Sequence, residues 1–210
     1  EYKDAFYSAM KVFVSQESEN NLIETYAYDD EEFAQEIKAN FKTLREFFNN
    51  LEAIRKAIAI LSSKDGRELS KKRITISTSG IIKGIYDLAD NGPKIRLAVS
   101  LTTPDEELRK RLMPFTNTNP LSELKKAVKY YAEKTGKRVT LEAALMAGKN
   151  TGKESAERMI QFAQGIDVNI NLIPWNSVEG LPFTEPSAAE VRNFTDILKN
   201  AGLNVTLRTK

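Results

Sequence analysis

The chain has 210 residues, 41% of them hydrophobic and 29% charged, which is typical of one globular domain with a sizeable core. Because 31 lysines and arginines face 29 aspartates and glutamates, the net charge is only +2, and any nucleic-acid-binding surface must be local. The lack of cysteine and histidine excludes disulfides, thiolate clusters, the usual zinc sites and Ser-His or Cys-His nucleophiles. No segment has the pattern of a membrane span or of a signal peptide.

The first part of the chain predicts a small β appendage followed by two helices. Lys11–Val14 and Leu22–Tyr28 read as the two strands of a hairpin, and an acidic segment, Asp29–Glu32, follows them. Apolar residues then repeat at helical spacing, at Phe33, Ile37, Phe41 and Leu44 and again at Leu51, Ile54, Ile58 and Leu61. We therefore expect a β-hairpin appendage in residues 1–30 and a second domain in residues 31–210.

From Arg73 onward, predicted strands and helices alternate. The predicted strands are Arg73–Gly80, Ile95–Leu101, Arg138–Met146, Val168–Trp175 and Leu203–Arg208. The predicted helices are Ile81–Ala89, one that begins at Thr103–Glu106, one that runs from Asn119 to Gly136, Glu154–Gln164 and Ser187–Ala201. This alternation with apolar strands is typical of parallel βα units. Because no glycine-rich phosphate turn is present, the pattern favours an α/β fold with a partial parallel (β/α) barrel over an open doubly wound sheet.

Helix boundaries carry recognisable capping signals. Thr103–Glu106 has a capping-box pattern with a proline in the first turn, and Ser187 with Glu190 forms a second capping box. Gly202 is expected to stop the last helix, and Pro174 to end the strand before Asn176.

Polar side chains follow four of the predicted strands at their C-terminal ends. They are Ser77, Thr78 and Ser79 on the first strand, Ser100 and Thr102 on the second, Glu142 and Asn150 on the third, and Asn176 on the fourth. The C-terminal rim is where barrels of this kind bind ligands. Hydroxyls and amides suit a small ligand with carboxylate, amine and ribose groups, because they both donate and accept hydrogen bonds.

Simpler interpretations remain open for several of these residues. Ser77–Gly80 taken alone is typical of a turn, and a lone Trp175 is as well suited to core packing as to stacking on a base. The lysines between Lys125 and Lys137 could follow RNA phosphates, but a solvated helix face explains them equally well.

Three segments together resemble the RlmN-type radical S-adenosylmethionine (SAM) methyltransferases. They are R-I-T-I-S-T-S-G-I at Arg73–Ile81, L-A-V-S-L-x-x-P-D-E-E-L at Leu97–Leu108 and N-L-I-P-W-N at Asn171–Asn176. That family methylates adenine C2 in ribosomal and transfer RNA, whereas related C8-methylating enzymes share the fold but match S-T-S-G and I-P-W-N less closely. The resemblance implies a radical-SAM-type partial barrel, SAM and a 4Fe-4S cluster as cofactors, RNA as partner and a cytoplasmic location.

Carried over position by position, the resemblance assigns SAM contacts to five residues of the rim: Ser77, Ser100, Leu101, Thr102 and Asn176. Two further assignments come from the first part of the chain. Glu46 falls on the family's SAM-amine-binding glutamate, and Glu24 on its proposed proton-abstracting glutamate.

The sequence departs from the family where the cluster should be held. The cysteine loop expected between Asp30 and Phe41 is missing, and the second catalytic cysteine would lie beyond Lys210. The family's G-E-P has become R-E-F at Arg45–Phe47, and Thr102 replaces a histidine. Two hypotheses follow: a radical SAM methyltransferase core without its cysteine segments, inactive by itself, or a non-enzymatic, cluster-free relative that binds SAM or RNA or serves as a scaffold.

Overall fold

The computed structural model describes residues 51–64, 68–177 and 182–208. The predicted hairpin of residues 1–30 and the helix predicted from Phe33 to Leu44 lie outside the described residues, as do Glu24 and Glu46.

Within these ranges, five strands alternate with six helices. The strands are β1 (Thr75–Thr78), β2 (Arg96–Ser100), β3 (Val139–Leu145), β4 (Val168–Pro174) and β5 (Asn204–Leu207). The helices are α1 (Leu51–Ser62), α2 (Ile82–Asn91), α3 (Glu106–Leu112), α4 (Leu121–Thr135), α5 (Lys153–Ala163) and α6 (Ala188–Asn200). Short 3₁₀ helices cover Lys71–Arg73 and Pro114–Asn117. Each strand and helix predicted from Arg73 onward is confirmed to within a few residues.

The five strands form one sheet in which each strand pairs in parallel with the next one along the chain. A parallel neighbour requires a crossover connection, and helices supply it between the strands. Winding of this kind in one direction builds the wall of a (β/α) barrel. The fold therefore confirms the α/β class and the parallel partial barrel predicted from the sequence.

One face of the sheet is apolar and the other is polar. Along β3, Val139, Leu141, Ala143 and Leu145 are buried, whereas the residues between them are only half-buried. Strand β4 alternates in the same way. The buried side chains join those of α2, α4, α5 and α6 in a single core. Since successive side chains point to opposite faces, these four described helices pack on the apolar face.

The polar face is unusual for a parallel sheet, whose strands are normally apolar on both sides. On β3 and β4, the half-buried positions include Thr140, Glu142, Asn169 and Asn171. Such a row of hydrogen-bonding groups is suited to contact with a polar ligand.

Two helix starts differ from the prediction. Helix α3 begins one residue after Asp105, whose Oδ1 accepts from Leu108 N at 2.9 Å, so Asp105 rather than Thr103 is the N-cap. Thr103 Oγ1 instead accepts from Asp105 N. Asn119, predicted to start α4, caps α2 from a distance by accepting from Ile82 N at 3.0 Å. The Ser187–Glu190 capping box is confirmed.

A buried arginine ties the ends of β1 and β2 together. The Arg109 side chain, 0% exposed, donates from Nη2 to Ser79 O at 2.6 Å and from Nη1 to Leu101 O at 2.8 Å. Burial lowers the pKa of Arg109 to about 10, so the guanidinium stays charged at neutral pH. Gly80 lies against it at φ +112°, and a Cβ there would be 3.0 Å from Arg109 Nη2.

Replacing Arg109 by methionine should destabilise the fold, because the side chain keeps much of its volume but loses every donor. The change removes the Arg109 bonds to Ser79 O and Leu101 O, although Leu101 O still accepts from Thr103 N. A hydrogen bond from a charged group is worth roughly 1.5–3 kcal/mol, so we expect a loss of about 2 kcal/mol in the free energy of unfolding. Urea unfolding measures this loss. Arg111→Met, the same change at an exposed position of the same helix, is the matched control and should alter it by under about 0.5 kcal/mol. Equal effects of the two changes would contradict the proposed clamp.

Candidate functional site

The structure brings the predicted ligand residues to one end of the sheet. Ser77 is the third residue of β1, Ser100 is the last of β2, and Asn176 follows the end of β4 by two residues. Because all strands are parallel, these three positions belong to the same C-terminal rim. Ser77 and Asn176 are exposed and Ser100 is half-buried, so all three are open to a ligand. Their contacts with SAM stay a prediction.

From Ser100 on β2 to Thr206 on β5, polar residues lie side by side across four neighbouring strands. The register places Ser100 opposite Glu142, Glu142 opposite Asn171, and Asn171 opposite Thr206. Ser100 Oγ donates to Glu142 Oε2 at 3.2 Å, and Thr206 Oγ1 lies 3.2 Å from Asn171 Oδ1. Within the described part of the chain Glu142 forms no ion pair, so its carboxylate can accept hydrogen bonds from a ligand.

Leu101 and Thr102 follow Ser100 where β2 leaves the sheet. The Leu101 side chain is fully buried, and its carbonyl already accepts from Arg109, so it can shape the rim mainly by packing. Thr102 has a left-handed backbone with φ +61°, an uncommon state for a β-branched residue. Its N–H donates to Glu142 O at 2.9 Å.

Asn150 is buried and holds the loops of the rim together. Its Oδ1 accepts from Met146 N at 2.7 Å, and its Nδ2 donates to Ala144 O at 2.7 Å and to Thr102 O at 3.3 Å. Because these bonds occupy the amide on both sides, the structure gives Asn150 a role in holding the loop.

Other residues of the rim segments serve the local fold. Thr78 Oγ1 accepts from Gly80 N at 3.2 Å, which is the contact of a turn. Trp175 is half-buried, with its ring edge-on to Phe183 at a centroid distance of 5.8 Å, and its backbone N–H donates to Leu145 O. Its indole Nε1 is buried without a hydrogen-bond partner among the described residues.

The basic residues of α4 are largely neutralised by the chain's own carboxylates. Four ion pairs join this region to acidic neighbours: Lys126 with Glu123, Lys129 with Glu133, Lys134 with Asp90 and Arg138 with Asp167. Lys125 Nζ donates to Gln161 O. This arrangement favours a solvated helix face over a track for RNA phosphates.

Glu190 joins the loop after β3 to the start of α6. Its carboxylate accepts from Ser187 N at 2.9 Å, from Thr151 Oγ1 at 2.8 Å and from Gly148 N at 3.2 Å. These bonds, the one from Ser187 N above all, lower the pKa of Glu190 to about 2. The sequence identified Glu190 only as a capping residue. Its bonds to Thr151 and Gly148 have no local sequence signal, because they span about 40 residues.

Among the described residues, no group of His, Cys, Asp or Glu side chains could hold a metal ion. The described helices also include none that is long and apolar enough to cross a bilayer.

Comparisons with known proteins agree with this architecture. No family model matches the chain. Over 198 residues, 94% of this chain, it is 53% identical to a Treponema denticola protein described as a probable dual-specificity RNA methyltransferase RlmN. A Treponema pallidum protein with the same description is 51% identical over 168 residues, 80% of this chain. The chain spans 57% and 49% of these two relatives, about half of their length.

Solved structures with a similar fold include a methyltransferase and an activating enzyme. A crystal structure of a radical SAM methyltransferase from Sphaerobacter thermophilus aligns with a TM-score of 0.73 at 37% identity, over 77% of this chain and 47% of that chain. A domain of a pyruvate-formate lyase-activating enzyme from Bacteroides vulgatus shares the fold alone, with a TM-score of 0.51 at 15% identity, over 64% of this chain and 80% of that domain.

The parallel winding and these alignments define a barrel of the radical SAM methyltransferase type. Within that class, the chain belongs to the RlmN family. The family uses SAM and a 4Fe-4S cluster. Since the 210 residues contain no cysteine, they do not fit the thiolate ligation that such a cluster requires.

The lowered pKa of Glu190 predicts an acid-dependent contribution to stability. Because the pKa of Glu190 is lower in the folded protein than its ordinary value of 4.5, the ionised carboxylate stabilises the folded state at pH values above 4.5. This stabilisation is lost as the pH falls towards 2. Glu190→Gln should therefore destabilise the protein at pH 7, and the difference from wild type should shrink between pH 5 and pH 2. Unfolding by urea across this range measures it.

Glu157→Gln, which removes an exposed partner of Lys153, is the control for loss of one surface carboxylate and should have a smaller effect at pH 7. A Glu190→Gln effect that stays constant down to pH 2 would mean that the charge of Glu190 contributes nothing.

Proposed function

We propose that this chain forms the SAM-binding part of an RlmN-type barrel that takes part in methylation of adenine C2 in ribosomal and transfer RNA. The observation that carries this proposal is the polar face of the sheet, opposite the face on which the described helices pack. It ends at the rim in Ser77, Ser100 and Asn176, the positions that match the family's SAM contacts.

The chemistry of these groups suits the polar parts of SAM. The exposed Asn176 amide can donate to the carboxylate of SAM and accept from its amine, and the serine hydroxyls can pair with ribose. Glu142, which Ser100 holds by a hydrogen bond, adds an acceptor beside them. Leu101 and Thr102 complete the rim at the end of β2, and Glu46 is assigned to the SAM amine by the same resemblance.

The substrate side of the proposal rests on the family. The relatives are described as dual-specificity RNA methyltransferases, so RNA is the proposed partner. Glu24 takes the role of the proton-abstracting residue, and residues 31–210 form the barrel domain that follows the 1–30 appendage. These 210 residues supply no thiolate to hold a cluster.

A cluster-free barrel that binds SAM or RNA, or serves as a scaffold, is the second candidate. Two sequence observations favour it: the absence of cysteine, and R-E-F at Arg45–Phe47 in place of the family's G-E-P. Both candidates have the same rim. A measurement of SAM binding distinguishes a barrel that binds SAM from one that serves only as a scaffold.

Asn176→Ala should weaken SAM binding about ten- to a hundredfold. A hydrogen bond to a charged group is worth roughly 1.5–3 kcal/mol, and Asn176 would lose such bonds to the amino-acid end of SAM. Titration calorimetry with SAM measures the affinity of the wild type and the variant. Asn200→Ala changes an exposed asparagine at the end of α6, away from the rim, and should bind SAM as the wild type does.

The melting temperature of Asn176→Ala has to match that of the wild type, because Asn176 follows Pro174 and could hold the loop. Equal SAM affinities of wild type and Asn176→Ala would refute the assignment of Asn176. A wild type that binds no SAM would refute the SAM-binding proposal and favour the scaffold.

A further inference from the structure

The turn at the end of β2 is held in a conformation that its sequence disfavours. Thr102 has φ +61°, one of two positive φ values at non-glycine residues among the described part of the chain. A left-handed backbone brings Cβ close to the following carbonyl, and a β-branched side chain makes this worse. Strained residues persist only where their surroundings fix them, and they concentrate at ligand sites.

One partner from β3 and one from the loop after β3 fix the backbone of Thr102 at its N–H and at its carbonyl. Its N–H donates to the carbonyl of Glu142 at 2.9 Å, and its own carbonyl accepts from Asn150 Nδ2 at 3.3 Å. The first bond continues the pairing of β2 with β3 beyond Ser100. The second depends on a side chain, so a substitution can remove it without altering the sheet.

Asn150 is itself fixed in place. It is 3% exposed, and its remaining bonds run to Met146 N and to Ala144 O, both at 2.7 Å. The bonds to Met146 and Ala144 hold Asn150 against the end of β3, whereas the bond to Thr102 reaches the segment that follows β2. Asn150 therefore links the end of β3 to Thr102, which lies two residues after Ser100.

We propose that Asn150 is a positioning residue of the SAM site, which holds Thr102 in its left-handed conformation and thereby sets the Ser100–Thr102 segment of the rim. This role rests on the proposed function, since it requires SAM to bind at that rim. Both Nδ2 hydrogens of Asn150 are used and the residue is 3% exposed, so it acts on the site through Thr102 and not by contact with SAM.

A double-mutant cycle with Thr102→Gly tests this role. Glycine adopts positive φ without a steric penalty, so the segment should keep its conformation without the Asn150 bond. Asn150→Ala should weaken SAM binding about tenfold with threonine at 102, in keeping with the preference of a non-glycine residue against the left-handed state. With glycine at 102, the same substitution should weaken binding less than about threefold.

Affinities are measured by titration calorimetry with SAM on the full 210-residue chain, at a temperature where all four proteins are folded by circular dichroism. Should Asn150→Ala fail to fold, Asn150→Ser, whose hydroxyl can donate one bond, takes its place in the cycle. Lys149→Ala, an exposed neighbour in the same loop, is the control and should bind as the wild type does.

A loss of affinity that is the same with threonine and with glycine at 102 would overturn the positioning role, because general damage to the loop does not depend on residue 102. No loss in either background would overturn it as well. If the wild type binds no SAM, the proposed function fails and this role fails with it, which distinguishes that outcome from a failed cycle in a protein that binds SAM.

Discussion

The Arg109 guanidinium is the interaction on which the described end of the barrel depends. Ser79 and Leu101 follow the ends of β1 and β2, and Arg109 donates to the carbonyls of both residues at once. A charge so deeply buried costs free energy, and the bonds to strand ends are its compensation. Gly80 leaves room for it. Arg109 thereby joins the segments that follow β1 and β2, next to the rim positions Ser77 and Ser100.

Two other polar side chains also join separate segments of the rim by hydrogen bonds. Asn150 joins the loop after β3 to the end of β2, and Glu190 joins that loop to the start of α6. In each case one polar side chain satisfies backbone or hydroxyl groups of segments distant in sequence. The exposed residues at the rim, Ser77 and Asn176, take no part in these bonds and are left for a ligand.

The sequence predicted the alternation of strands and helices well, because periodicity and caps are local properties. It also placed Ser77, Ser100 and Asn176 at one rim, because the C-terminal ends of parallel strands lie at the same edge of a sheet. It missed the roles of Arg109 and Asn119, whose partners lie 30 and 37 residues away. For Arg109, the one available signal is its place beside Leu108 on the inward side of α3. Pairings over such distances depend on tertiary packing, which no local pattern encodes.

The central claim is that SAM binds on the open polar face at the C-terminal rim. Titration of isotope-labelled protein with SAM, followed by two-dimensional amide NMR, tests it directly because each residue reports separately. The account predicts concentration-dependent shifts centred on the amides of Ser77, Ser100, Thr102 and Asn176, with the outer surfaces of α4 and α5 unchanged. Shifts confined to those outer helices, or no shifts at saturating SAM, would contradict it.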